Sequence, residues 1–110
     1  MKTEHEEQRE FVSWFRKNKG DVRIFAIPNG GSRSLSSAAR MKVEGVSRGV
    51  PDLFIPEWWT WIEMKKVSGG VVAPEQKSWH EYLDRIGYIV IVARGCEEAI
   101  KLLEESRCSK

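Results

Sequence analysis

Three residues near the middle of the chain have chemistry that is easy to name: Asp52, Glu63 and Lys65. Asp52 follows a proline, and Glu63 and Lys65 bracket Met64. The stretches 52–56 and 60–66 are short, apolar and β-favouring, so an antiparallel hairpin is the simplest assignment. If it closes through Glu57 and Trp58, position 56 faces 59, 54 faces 61, and 52 faces 63. Directly opposed residues on one sheet face hold their Cβ atoms about 4.5–5.5 Å apart, and period-2 alternation brings Lys65 to the same face. Two carboxylates that close repel each other unless a proton or a cation lies between them. Mg²⁺ or Mn²⁺ suits the gap, because a hard cation takes oxygen ligands and keeps waters for a phosphate-bearing substrate. The chemistry implied is hydrolysis by a metal-bound water, with the ammonium holding that water or offsetting charge on phosphate. Surface strands carry Glu and Lys for solubility too, so the rest of the chain has to be weighed with them.

Several elements must position this trio. Phe11, Val12, Trp14 and Phe15 form a helical stripe within Thr3–Lys19, and Gly20 stops that helix. Asp21–Pro28 reads as a strand, ended by the turn chemistry of Pro28-Asn29-Gly30-Gly31. Ser32–Glu44 is rich in Ser, Ala and Arg, with room for a short helix near Ser37–Val43, and Gly45 and Gly49 bracket a link. After the hairpin and Ser68-Gly69-Gly70, Pro74–Ile86 is a helix begun by proline. Tyr88–Ala93 is an apolar run of the kind found in interior strands covered on both faces. Cys96–Glu105 is a last amphipathic helix. The order is α-β-β-β-α-β-α, an α/β fold.

Composition bounds the reading. With 110 residues and 41% hydrophobic content, the chain is sized for a single domain over 1–110. Its net charge of +2 and pI of about 8.6 conceal segregation: Glu4, Glu6, Glu7 and Glu10 crowd the start, whereas Arg33, Arg40, Lys42 and Arg48 crowd the middle. No apolar run approaches the roughly 20 residues that span a bilayer, so no membrane association is expected. Cys96 and Cys108 lack metal-ligand spacing and read as free thiols in a cytoplasmic protein.

The residues around the trio resemble the PD-(D/E)xK nuclease superfamily, with Pro51-Asp52 as one half of the motif and Glu63-Met64-Lys65 as the other. Ile27-Pro28-Asn29-Gly30-Gly31-Ser32-Arg33, Ala38-Ala39-Arg40-Met41-Lys42-Val43-Glu44-Gly45-Val46 and Gly49-Val50-Pro51-Asp52-Leu53 are similar to the VRR-NUC family, particularly its stand-alone phage and prophage members. Ala73-Pro74-Glu75-Gln76, Trp79, Leu83, Gly87-Tyr88 and Glu98-Ala99 extend the likeness over nearly the whole chain. Met64 stands where many superfamily members have Val or Leu.

The resemblance implies a restriction-endonuclease-like core, a mixed β-sheet flanked by helices, and divalent-metal-dependent phosphodiester hydrolysis with Asp52, Glu63 and Lys65 as catalytic residues. It implies the Met64 backbone carbonyl as a further metal ligand, an acidic residue from the first helix near the metal, and a glutamine at the start of the later helix, here Gln76. Glu4 is the choice for the acid, because it shares a helix face with Gln8, Phe11, Val12 and Phe15; Glu7 is the reserve. Asn29, Arg33, Arg40, Lys42 and Arg48, set among glycines, are expected to track a DNA backbone. His5 and His80 read as ordinary surface histidines, and Trp61 as a core residue.

One centre cuts one strand, so cutting both calls for two copies, and a twofold homodimer would present paired sites to branched DNA. Stand-alone members of the resembled family are associated with four-way junction cleavage, which makes a Holliday junction resolvase the expected activity. The rivals are a non-catalytic DNA-binding or assembly module with the same fold, and a nuclease acting on plain duplex or flap DNA.

Overall fold

A computed structural model of the chain describes residues 1–28 and 35–108. Its elements are α1 (Glu4–Asn18), β1 (Phe25–Ala26), α2 (Leu35–Val43), β2 (Leu53–Ile55), β3 (Thr60–Lys65), α3 (Pro74–Arg85), β4 (Ile89–Arg94) and α4 (Cys96–Cys108). The expected order holds, with the short helix α2 between the first two strands. The described strands form one mixed sheet in the order β1-β2-β3-β4. The pairs β1–β2 and β2–β3 are antiparallel, and β3–β4 is parallel, joined by the α3 crossover.

Local chemistry accounts for the helix ends. Thr3 caps α1 through a reciprocal pair: its hydroxyl accepts from Glu6 N–H at 3.1 Å, and its own N–H donates to Glu6 Oε1 at 2.8 Å. Helix α2 ends in a Schellman turn, with Val46 N–H on Met41 O and Gly45 N–H on Lys42 O, made possible by Gly45 at φ +102°. Helix α4 starts where Cys96 N–H meets the buried carboxylate of Glu7 at 2.8 Å, a charge-assisted bond at the positive end of a helix dipole.

Alternation then divides the sheet into two faces. Leu53, Ile55, Ile62, Met64, Ile91 and Ala93 pack with Phe11 and Phe15 of α1 and Ala99 and Leu103 of α4 as the apolar core. Asp52, Phe54, Trp61, Glu63 and Lys65 take the opposite parity, on the side reached by Gln76 and His80 of α3.

Two strand expectations need correction. Asp21–Pro28 pairs as a strand only over Phe25–Ala26, because the chain leaving α1 first turns back, with Val22 N–H on Lys19 O. The apolar run at Tyr88–Ala93 is not an interior strand: β4 ends the described sheet, and Ile89 is 37% exposed. The strand buried on both faces is β3, where Ile62, Glu63, Met64 and Lys65 are all buried. Polar letters at 63 and 65 hid that burial, because they serve the site and not the solvent.

Candidate active site

The hairpin register is the one the sequence implied. Leu53 pairs with Ile62, Phe54 with Trp61 and Ile55 with Thr60; one step further sets Asp52 opposite Glu63. The turn is built differently from a plain two-residue closure: Pro56–Trp58 is a single turn of 3-10 helix, and Trp59 closes it in the left-handed region at φ 53°.

Two steps beyond the last ladder pair, Pro51 would face Met64. Lys65 O accepts from Gly95 N–H on the β4 side, so the Met64 N–H and carbonyl, alternating, point to the β2 side. There Met64 N–H donates to Asp52 Oδ2 at 2.7 Å. A proline has no N–H to return, so the ladder gives the Met64 carbonyl no donor from position 51. The Pro-Asp pair therefore clamps the aspartate with one backbone group and leaves a backbone oxygen beside it.

Glu63 is 1% exposed and Lys65 5%. Lys65 Nζ stands 3.9 Å from Glu63 Oε2 and donates to Gln76 Oε1 at 2.9 Å. Gln76 Nε2 donates to Glu63 Oε2 at 3.1 Å, while Gln76 Oε1 also accepts from Ala73 N–H at 2.8 Å. The same glutamine thus closes the first turn of α3 and bridges the charged pair. His80, one turn later, places Nε2 3.2 Å from Glu63 Oε1. His80 is no ordinary surface histidine: its side chain is 13% exposed. A spacing of four on a helix already places it on the Gln76 face, which is the signal that could have found it.

Asp52 and Glu63 lie within hydrogen-bonding reach, and burial, followed by the Glu63 charge, pushes the Asp52 carboxyl up to about 8. Glu4 is raised as well, first by burial; Lys65 pulls it down and Glu63 pushes it up, which places it in the field of the site. Glu7, the reserve, is committed to the start of α4. Among the described residues no three His, Cys, Asp or Glu side chains gather as a metal cluster. The donor set on offer is the facing carboxylates of Asp52 and Glu63, with a backbone carbonyl beside them. It fits a hard divalent cation that takes its remaining ligands from water and phosphate, since a cation between the two carboxylates offsets their mutual repulsion.

The basic residues expected on DNA divide. Arg40, Lys42 and Arg48 are exposed, and Arg48 lies beside Pro74, Glu75, Ser78 and Trp79 at the start of α3. Asn29 and Arg33 lie outside the described residues. Trp61 is half-buried on the site face, stacked on Phe54 with ring centroids 4.2 Å apart, and so is not a core residue. Trp58 packs against the core instead.

The fold matches the solved structure of a VRR_NUC domain protein with a TM-score of 0.80 and 30% sequence identity, over 96% of this chain and 88% of that one. The chain belongs to the VRR-NUC family. Comparison with family models and with curated proteins found no match. The VRR-NUC assignment carries a nuclease fold: a four-stranded mixed sheet with α1 and α4 behind it and α3 over its acidic face. Among the described residues no helix is long and apolar enough to cross a membrane.

Proposed function

We propose that this VRR-NUC protein is a Mg²⁺- or Mn²⁺-dependent endonuclease that cuts branched DNA, resolving four-way junctions as a homodimer. The observation that carries the reading is the pair Asp52–Glu63: a half-buried and a buried carboxylate in hydrogen-bonding reach, with the Lys65 ammonium 3.9 Å from the second. Asp52, Glu63 and the Met64 carbonyl would hold the cation, which supplies a Lewis acid and a more acidic water. Lys65 offsets charge on the phosphate and holds the attacking water. Gln76, bonded to both Lys65 and Glu63, fixes their separation and sets the ammonium's direction. Glu4 adds negative charge at the edge of the site, and Arg40, Lys42 and Arg48 supply cationic contacts for the DNA backbone.

The test is cleavage of a labelled four-way junction, linear duplex and flap side by side, with Mg²⁺ and with EDTA. Cutting of the junction in Mg²⁺ alone is expected. Asp52→Ala and Lys65→Ala should each lower the rate by at least about a hundredfold, while junction binding in Ca²⁺ persists. A variant cutting at the normal rate overturns the assignment. Calorimetry with Mn²⁺ separates the enzyme from a binding-only module, which would give no heat that Glu63→Ala removes.

A further inference from the structure

The glutamate-rich start of the chain is not acidic all round. On a helix of 3.6 residues per turn, Phe11, Phe15 and Glu7 of α1 point inward, Glu6 and Glu10 fall on one flank, and His5, Arg9 and Arg16 fall on the other with Gln8 and Ser13. This second flank is one wall of a groove of about 520 Å³, whose opposite wall is Ile24, Phe25 and Ala26, with Leu53 between. No acidic residue lines it. Arg9 and Arg16 are exposed, and among the described residues neither forms a salt bridge. Glu6 senses the Arg9 charge, but its carboxylate is engaged by the Thr3 N–H.

The groove also leads somewhere. His5 lines the groove at the start of α1, next to Glu4, which lies in the field of Lys65, Glu63 and Asp52, so that end of the groove adjoins the acidic centre. Arg9 and Arg16 stand about 10 Å apart along the helix axis, at ~1.5 Å per residue. That is the axial span of about three phosphate-to-phosphate steps of one DNA strand. An unpaired, single-sign wall of this kind attracts a polyanion, and guanidiniums bond phosphate oxygens without reading bases.

We infer that the groove between α1 and β1 holds the phosphate backbone of one DNA strand leading into the Asp52–Glu63 centre, with Arg9 and Arg16 as its contacts. The inference rests on the nuclease reading for its substrate, and it adds two contacts on α1 to Arg40, Lys42 and Arg48.

The experiment measures binding of the full chain to a labelled four-way junction in Ca²⁺ across 50–200 mM salt. It compares the native protein, the double variant Arg9→Ala/Arg16→Ala and the charge-keeping Arg9→Lys/Arg16→Lys, with thermal melts to show that each folds. Each lost phosphate contact should make the slope of log K against log salt shallower by about 0.9. The alanine pair should then lose about tenfold less affinity per bound protomer than the native protein over that range, and the lysine pair should keep the native slope. An unchanged slope in the alanine pair overturns the proposal, as does a loss of self-association in that variant without a change in slope, which would make the groove an interface between copies. Cleavage by the native protein in Mg²⁺ is scored separately: no cutting, with the slope change intact, sinks the nuclease and leaves the groove standing.

Discussion

At the scale of single residues, the site depends on charges that cannot be neighbours without compensation. The folded protein binds a proton at Asp52 up to about pH 8, whereas an unfolded chain releases it near pH 3.9. Between those values the folded state holds the extra proton, so stability of the metal-free protein falls as pH rises through this window, by up to about 1.4 kcal/mol per unit. Thermal unfolding in EDTA at pH 5 to 8 should show this decline, and Asp52→Asn should flatten it. A divalent cation competes with the same proton, so its apparent affinity should rise with pH up to about 8. His80 contacts Glu63, with Nε2 3.2 Å from Oε1, and so acts through that carboxylate. His80→Ala should weaken Mn²⁺ binding about 10–100-fold, as loss of an outer-shell partner does, while His80→Gln, which can still donate to Glu63, should recover most of it; equal calorimetry for native and alanine forms would refute this.

At the scale of elements, the decisive junction is between the link after α2 and the start of α3. Gly49 has φ +94°, and a Cβ there would lie 2.6 Å from the backbone of Glu75. Gly45 shares a positive φ of +102°, but has nothing within 4 Å of an added Cβ. The backbone penalty is therefore common to both, and the clash belongs to Gly49 alone. Gly45→Ala should cost about 1–2 kcal/mol, and Gly49→Ala more, about 2–4 kcal/mol, read by urea unfolding. Gly49→Ala should also depress cleavage beyond its stability loss, because it pushes on the turn that carries Gln76.

At the scale of the whole molecule, one copy measures 44 × 35 × 27 Å over the described residues, little more than the ~34 Å of one DNA turn, and it carries a single acidic centre. Paired cuts in a junction thus require two copies. Light scattering should report a dimer, and mixing the native protein with excess Asp52→Ala should convert paired cuts into single nicks, as mixed dimers would hold one working centre. Nicked product from the native protein by itself, with a monomer in light scattering, would show that each copy works alone.

The hairpin was legible from sequence because its register follows from local rules: strand parity and a short closure place 52 against 63 and put 65 on the same face. The helices were legible for a similar reason, since Thr3, Pro74 and Gly87 mark their ends through backbone chemistry that acts over a few residues. The role of His80, the commitment of Glu7 to α4 instead of the acidic centre, the edge position of β4 and the cationic flank of α1 were not. Each depends on which distant segment lies across from the residue, and that is set when the two sheet faces close against different helices. Residue types and spacing determined the chemistry this chain can offer; only the packing of α1 and α3 on opposite sides of β3 decided which groups face the acidic centre and which serve the core, because burial and distance are properties of the closed chain.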